Sequence, residues 1–114
     1  APFHSSLLKP ASDRLRDYLA GIPFAAPRIA LVNNVDVAVV EDVDAIKDAL
    51  VRQAASPVRW VETVQRMAAD SVTHVIECGP GKVLAGLTKR IDGNLAGEAI
   101  IDQASLEKVL ELLK

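Results

Sequence analysis

Apolar residues recur along this chain at two different spacings, and the switches between them mark out helices and strands. Leu8, Ala11, Leu15, Tyr18 and Leu19 repeat every three or four positions, with Asp13, Arg14, Arg16 and Asp17 between them, which predicts an amphipathic helix. Ser5 or Ser6 is its candidate N-cap and Gly21 its stop, and Pro10 lies near the first turn, where a missing N–H costs least. Residues 28–32 (Arg-Ile-Ala-Leu-Val) are apolar without alternation and run into Asn33-Asn34. That pattern reads as a buried parallel strand. Residues 35–40 are rich in β-formers and read as a further extended piece.

Ile46, Ala49, Leu50 and Gln53 line one face of a second helix behind an Asp42 or Asp44 cap. Ser56-Pro57 predicts the opening of a third, with Trp60, Val61, Val64, Met67 and Ala68 as its buried stripe. Residues 73–78 predict a strand, Gly79-Pro80-Gly81 a turn, and Val83, Leu84, Leu87 and Ile91 a fourth helix. A short strand over 98–101 and a helix carried by Leu106, Val109, Leu110 and Leu113 follow. The order α-β-α-α-β-α-β-α predicts an α/β fold with short, mainly parallel strands flanked by helices.

Composition narrows the function classes. The 114 residues are half apolar and a quarter charged, a globular mix that fits one domain or a piece of a larger one. A net charge of −2 and few aromatics argue against a nucleic-acid partner. No stretch approaches the roughly 18 apolar residues of a membrane span. The single cysteine, Cys78, excludes an intrachain disulfide framework and fits a reducing cytoplasm. The chain begins without Met and shows no signal peptide. It reads as the C-terminal part of something longer.

Candidate chemistry is sparse. His4 lies on a loop before a Ser pair and is the side chain suited to proton transfer near neutral pH. Yet the chain holds no Gly-x-Ser-x-Gly elbow for it to serve, and a loop His is also an ordinary surface residue. His74, within a strand, reads as structural. Cys78 ends a strand beside a helix N-terminus, so it is either a nucleophile paired with His4 or a small buried hydrophobe. Asp36 either orients an imidazole or serves the turn chemistry of Asn33-Asn34-Val35-Asp36. Strand, Gly-Pro-Gly and helix together present free N–H groups at a sheet edge, an anion-attracting arrangement to which Lys82 adds charge. No phosphate-loop or dinucleotide motif accompanies it, and a tight structural turn is the other reading. No cluster has metal-ligand spacing.

Several segments carry a resemblance. They are Phe3-His4-Ser5 with Leu7-Leu8-Lys9-Pro10, Val32-Asn33-Asn34-Val35-Asp36, Leu50-Val51-Arg52-Gln53, Pro57-Val58-Arg59-Trp60, Glu77-Cys78-Gly79-Pro80-Gly81-Lys82-Val83-Leu84 and Gly86-Leu87-Thr88-Lys89-Arg90-Ile91. In order and spacing they resemble the C-terminal third of the malonyl-CoA:acyl carrier protein transacylases of bacterial type II fatty-acid synthesis. The resemblance implies that residues 1–114 are the C-terminal segment of the hydrolase-like large subdomain of an acyltransferase. The nucleophile elbow and a ferredoxin-like subdomain would then lie upstream. It implies that a Ser outside this chain takes malonyl from malonyl-CoA and passes it to the phosphopantetheine thiol of acyl carrier protein.

His4 matches the His that activates that Ser. Gln53 matches the residue whose backbone carbonyl orients the His in place of the usual Asp. Phe3, immediately before His4, resembles the substrate-binding position of malonyl-selective members. Cys78 falls where the family accepts apolar residues. The implied partners are malonyl-CoA, acyl carrier protein and the rest of the polypeptide, with coenzyme A entering as a thioester substrate and no cofactor or metal. A cytoplasmic enzyme is expected, with no membrane or nucleic-acid partner. Two rivals stand beside this. One is an acyltransferase domain of a polyketide synthase, disfavoured by the compact ending at Leu113-Lys114. The other is a non-catalytic α/β binding module.

Overall fold

A computed structural model describes all of residues 1–114. The chain divides into two compact units, residues 1–63 and 64–114.

In the first unit a single 3₁₀ turn, Ser6–Leu8, leads into helix α1, Lys9–Ala20, which ends on Gly21. Pro10 sits at the helix start, as its missing N–H requires. The expected Ser cap does not form. Ser5 Oγ donates instead to the Pro2 carbonyl at 2.7 Å, closing the turn that carries Phe3 and His4.

Helix α2, Val43–Ala54, begins on Asp42, whose carboxylate accepts from the Ala45 amide at 2.9 Å. Such a cap contributes about 1 kcal/mol. Ile46 and Ala49 are buried as expected, but Val51 and not Leu50 completes the buried face. The cause is α1, which packs along the Val51 side. Ser12 Oγ donates to the Val51 carbonyl at 2.7 Å, and Arg16 reaches Asp48 at 3.1 Å. These contacts run in opposite directions along the two helices, so α1 and α2 are antiparallel. Lys47 Nζ donates to the Ile22 carbonyl at 2.6 Å and lies 5.1 Å from the centre of the Phe24 ring, tying the chain that leaves α1 back onto α2.

The strand expected over 28–32 does not form. Only Val32 pairs, in one antiparallel bridge to Val39, and Ile29 is 83% exposed. The extended piece expected over 35–40 contributes only that same bridge. Asn33 is the reason. Its Oδ1 accepts the Asp36 amide at 2.7 Å, and its own amide donates to the Ala38 carbonyl at 3.0 Å. This Asx-type turn folds the chain back immediately after Val32, so only the residues flanking it can meet.

Helix α3 runs Trp60–Ala69, three residues later than Ser56-Pro57 predicts. The Arg59 amide is drawn to the Asn34 carbonyl at 3.0 Å, and the Arg59 carbonyl accepts the first helical bond from Thr63 at 2.9 Å. Arg59 therefore takes the capping place and leaves Pro57 outside. Thr63 and Val64 are the buried residues of the helix, while Val61 is exposed.

The second unit is a strand–helix–strand–helix arrangement: β1 His74–Cys78, α4 Val83–Ile91, β2 Ala96–Ile100 and α5 Gln103–Leu112. The two strands are parallel, in register from His74 opposite Ala96 to Cys78 opposite Ile100, with α4 as the crossover that parallel pairing requires. Ala85, Thr88, Leu95 and Val109 form the core. Leu110 and Leu113, expected inside, are exposed. Asp102 and Ser105 form a reciprocal capping box on α5. No helix is long and apolar enough to cross a membrane.

Candidate active site

An α-helix leaves its last four carbonyls without intrahelical partners. At the end of α2, three consecutive carbonyls each find a different one. Val51 accepts Ser12 Oγ at 2.7 Å, Arg52 accepts the Ala55 amide at 3.2 Å, and Gln53 accepts His4 Nδ1 at 2.8 Å. Two residues 49 positions apart thus meet because antiparallel packing of α1 on α2 sets the start of one helix beside the end of the other.

A carbonyl oxygen can only accept, so Nδ1 carries the imidazole hydrogen. In the neutral ring Nε2 is then the free base. The carbonyl also belongs to a helix C-terminus, where the backbone dipoles leave partial negative charge. An imidazolium forming at His4 would face that charge, the part a carboxylate plays in a Ser-His-Asp triad. The His4 backbone has φ 57°, a left-handed conformation that costs a non-glycine residue roughly 1–2 kcal/mol. The Ser5–Pro2 bond and the Nδ1–Gln53 bond hold it there. Backbone strain of this kind gathers at functional sites.

The Gln53 side chain takes no part in the hydrogen bond to His4. It lines a mostly apolar pocket of about 220 Å³ with Leu31, Leu50 and Trp60 among its walls. Phe3 precedes His4 on the same turn and is 68% exposed. Asp36 does not orient the imidazole. Its two oxygens lie 2.8 and 2.6 Å from the Arg52 guanidinium, and that hydrogen-bonded pairing holds the Asp36 carboxyl below its usual range. Arg52 also donates through Nε to Asp48 at 2.7 Å. The bonds from Arg52 and then Arg16 lower the Asp48 carboxyl in the same way.

The remaining candidates fall in the second unit. The anion-attracting end of α4 is taken by the protein's own acid, because Glu77 Oε2 accepts the Ala85 amide at 2.9 Å. The Gly-Pro-Gly segment is thus a structural turn. Cys78 is exposed and not the buried hydrophobe expected, with its thiol 4.0 Å from the Ile76 carbonyl. His74 pairs with the neighbouring Thr73 hydroxyl at 2.9 Å. No three His, Cys, Asp or Glu side chains gather where they could hold a metal ion.

Sequence reasoning missed Ser12 and Arg52. A signal existed for both. Ser12 stands four residues after Leu8, on the apolar face of α1, and Asp48 and Arg52 are spaced i, i+4 on α2.

The malonyl CoA-acyl carrier protein transacylase of Escherichia coli K12 is 50% identical over 111 residues, 97% of this chain. The solved acyl-carrier-protein S-malonyltransferase of Burkholderia pseudomallei is 73% identical over 97% of the chain and superimposes with a TM-score of 0.92. Over nearly its whole length the chain is similar to a segment of the malonyl transacylases. Its α/β fold is that of the solved malonyltransferases. A further malonyl-transacylase, solved in complex with a type II polyketide synthase acyl-carrier protein, is 48% identical over 98% of the chain, with a TM-score of 0.93. This chain spans about a third of the length of each of these relatives, 36% in all three cases. No protein-family model matches it.

Proposed function

We propose that this chain is the base-bearing part of a malonyl transferase, moving malonyl from malonyl-CoA to the phosphopantetheine thiol of acyl carrier protein. The observation that carries this is the 2.8 Å bond from His4 Nδ1 to the Gln53 carbonyl, in a chain whose relatives carry that activity in their names. His4 is the general acid/base and Gln53 its backbone orienter. Nε2 takes the proton of a Ser hydroxyl supplied by the rest of the polypeptide as that oxygen attacks the malonyl thioester. The C–S bond breaks, and the imidazolium returns the proton to the departing coenzyme A thiolate. In the second half the carrier thiol gives its proton to Nε2 and attacks the acyl-Ser ester. The C–O bond breaks, and the proton goes back to the Ser oxygen. Phe3, beside the base, shapes the acyl site toward malonyl.

In this reading residues 1–114 are the C-terminal segment of the acyltransferase large subdomain, in a cytoplasmic enzyme of fatty-acid synthesis. A carrier of polyketide synthesis is the second reading, favoured by the partner of one solved relative. The test is transfer of labelled malonyl by the full-length protein to carrier proteins of both kinds. Label on the fatty-acid carrier is expected. Transfer to neither carrier would contradict the reading, and transfer to the polyketide carrier alone would favour the second.

The isolated 114 residues should give no malonylated carrier above buffer. They hold a base but no Ser elbow, and a base without its nucleophile has nothing to activate. Turnover by the isolated chain would return Cys78 to consideration.

A further inference from the structure

We propose that Arg52, clamped between Asp36 and Asp48, is a positioning residue that aims the Gln53 carbonyl at His4. This rests on the acid/base reading of His4 and extends it to residues that never touch the imidazole.

The geometry is specific. Arg52 immediately precedes Gln53 on the last turn of α2. Its guanidinium engages both oxygens of Asp36, at 2.8 and 2.6 Å, and Asp48 at 2.7 Å. Asp48 in turn holds Arg16 of α1 at 3.1 Å. Asp36 sits on the Asn33 turn, whose neighbouring Asn34 carbonyl accepts the Arg59 amide ahead of α3. One side chain therefore ties the end of α2 to the turn before it and, through Asp48, to α1. Helix ends fray where nothing binds them, and a frayed last turn would swing the Gln53 carbonyl away from Nδ1.

Stability alone does not account for such an arrangement. The three side chains are 39–43% exposed, where water screens ion pairs and weakens their contribution to folding. A planar fork that fixes direction suits orientation better, and Lys cannot reproduce it. Catalysis is far more sensitive to direction than folding is, since a misplacement of about 1 Å can cost roughly 10²-fold in rate.

The experiment uses the full-length protein and the variants Arg52→Gln, Arg52→Lys, Asp36→Asn and His4→Ala. It reads kcat, KM, Tm and, by proton NMR, exchange of the His4 Nδ1 hydrogen with water. Arg52→Gln is expected to lower kcat by about 10–10²-fold with KM and Tm little changed and Nδ1 exchange faster. Asp36→Asn should act in the same direction, and Arg52→Lys should recover only part of the loss. If His4→Ala abolished transfer while Arg52→Gln and Asp36→Asn kept the parental kcat and Nδ1 exchange, the positioning role would be wrong and the acid/base reading would stand. If the variants lost Tm in proportion to kcat, with Nδ1 exchange unchanged, Arg52 would be structural only. Unchanged transfer in His4→Ala would overturn both readings together.

Discussion

Replacing His4 with Ala in the full-length protein should lower malonyl transfer by about 10²–10⁴-fold, the contribution of a positioned acid/base. That corresponds to roughly 3–5 kcal/mol of barrier. The loss should fall on kcat and leave binding of malonyl-CoA nearly unchanged, because the role proposed for Nε2 is proton transfer and not ground-state contact. Stability should hardly change. His4 is exposed, and Ala removes one hydrogen bond to a carbonyl that water can then reach. A His4→Ala variant with near-parental kcat would remove His4 from the mechanism.

The largest effect on folding is expected at Gly97. A Cβ built there would overlap the Ala85 carbonyl oxygen and lie 3.2 Å from its carbon. Both belong to the backbone of α4, so no flexible side chain can move aside. Relief requires α4 to lift from β2, which opens the packing around Ala85 and Thr88, both buried. Overpacking typically costs about 1–3 kcal/mol, occasionally more, and Gly97→Ala should reach the upper end. Gly93→Ala is the matched control, since a Cβ there meets nothing within 4 Å. Urea unfolding of the full-length variants compares the two. Equal midpoints for Gly97→Ala and the parent would show that β2 and α4 are not packed this closely.

The elements that declared themselves in the sequence did so through local physics. The apolar period of α1 and α2, the Asp42 cap and the short β-rich run of β1 are decided by neighbours a few residues apart. Residues 28–32 show the limit of that information. An apolar run encodes a tendency to pair but not a partner, and the Asn33 turn returns only Val39 to Val32. The buried face of α2 was misread at Leu50 and Val51 for a related reason. Which of two adjacent apolar residues is covered depends on where α1 lies.

The candidate site divides in the same way. His4 stood out as a candidate base by its residue type, but its pairing with Gln53 came from a family resemblance and not from spacing, since no periodicity links residues 49 positions apart. Ser12 and Arg52 were legible as helical residues, but their partners at Val51 and Asp36 lie 39 and 16 positions away. Asp36 was read as either a turn residue or an orienter of the imidazole. It lies on the turn, and its carboxylate is spent on Arg52.

The central claim is that a helix-end carbonyl, and no side chain, orients the base. The direct test is turnover of Gln53→Ala and Ala54→Pro side by side in the full-length protein, with Tm recorded for each. Every residue keeps its carbonyl, so Gln53→Ala should retain most of the parental kcat, losing only packing in the pocket its side chain lines. Pro at position 54 disfavours the helical conformation of residue 53 and would turn that carbonyl away, so kcat should fall toward that of His4→Ala. A Gln53→Ala variant as damaged as His4→Ala, beside an Ala54→Pro variant with parental turnover, would contradict the account.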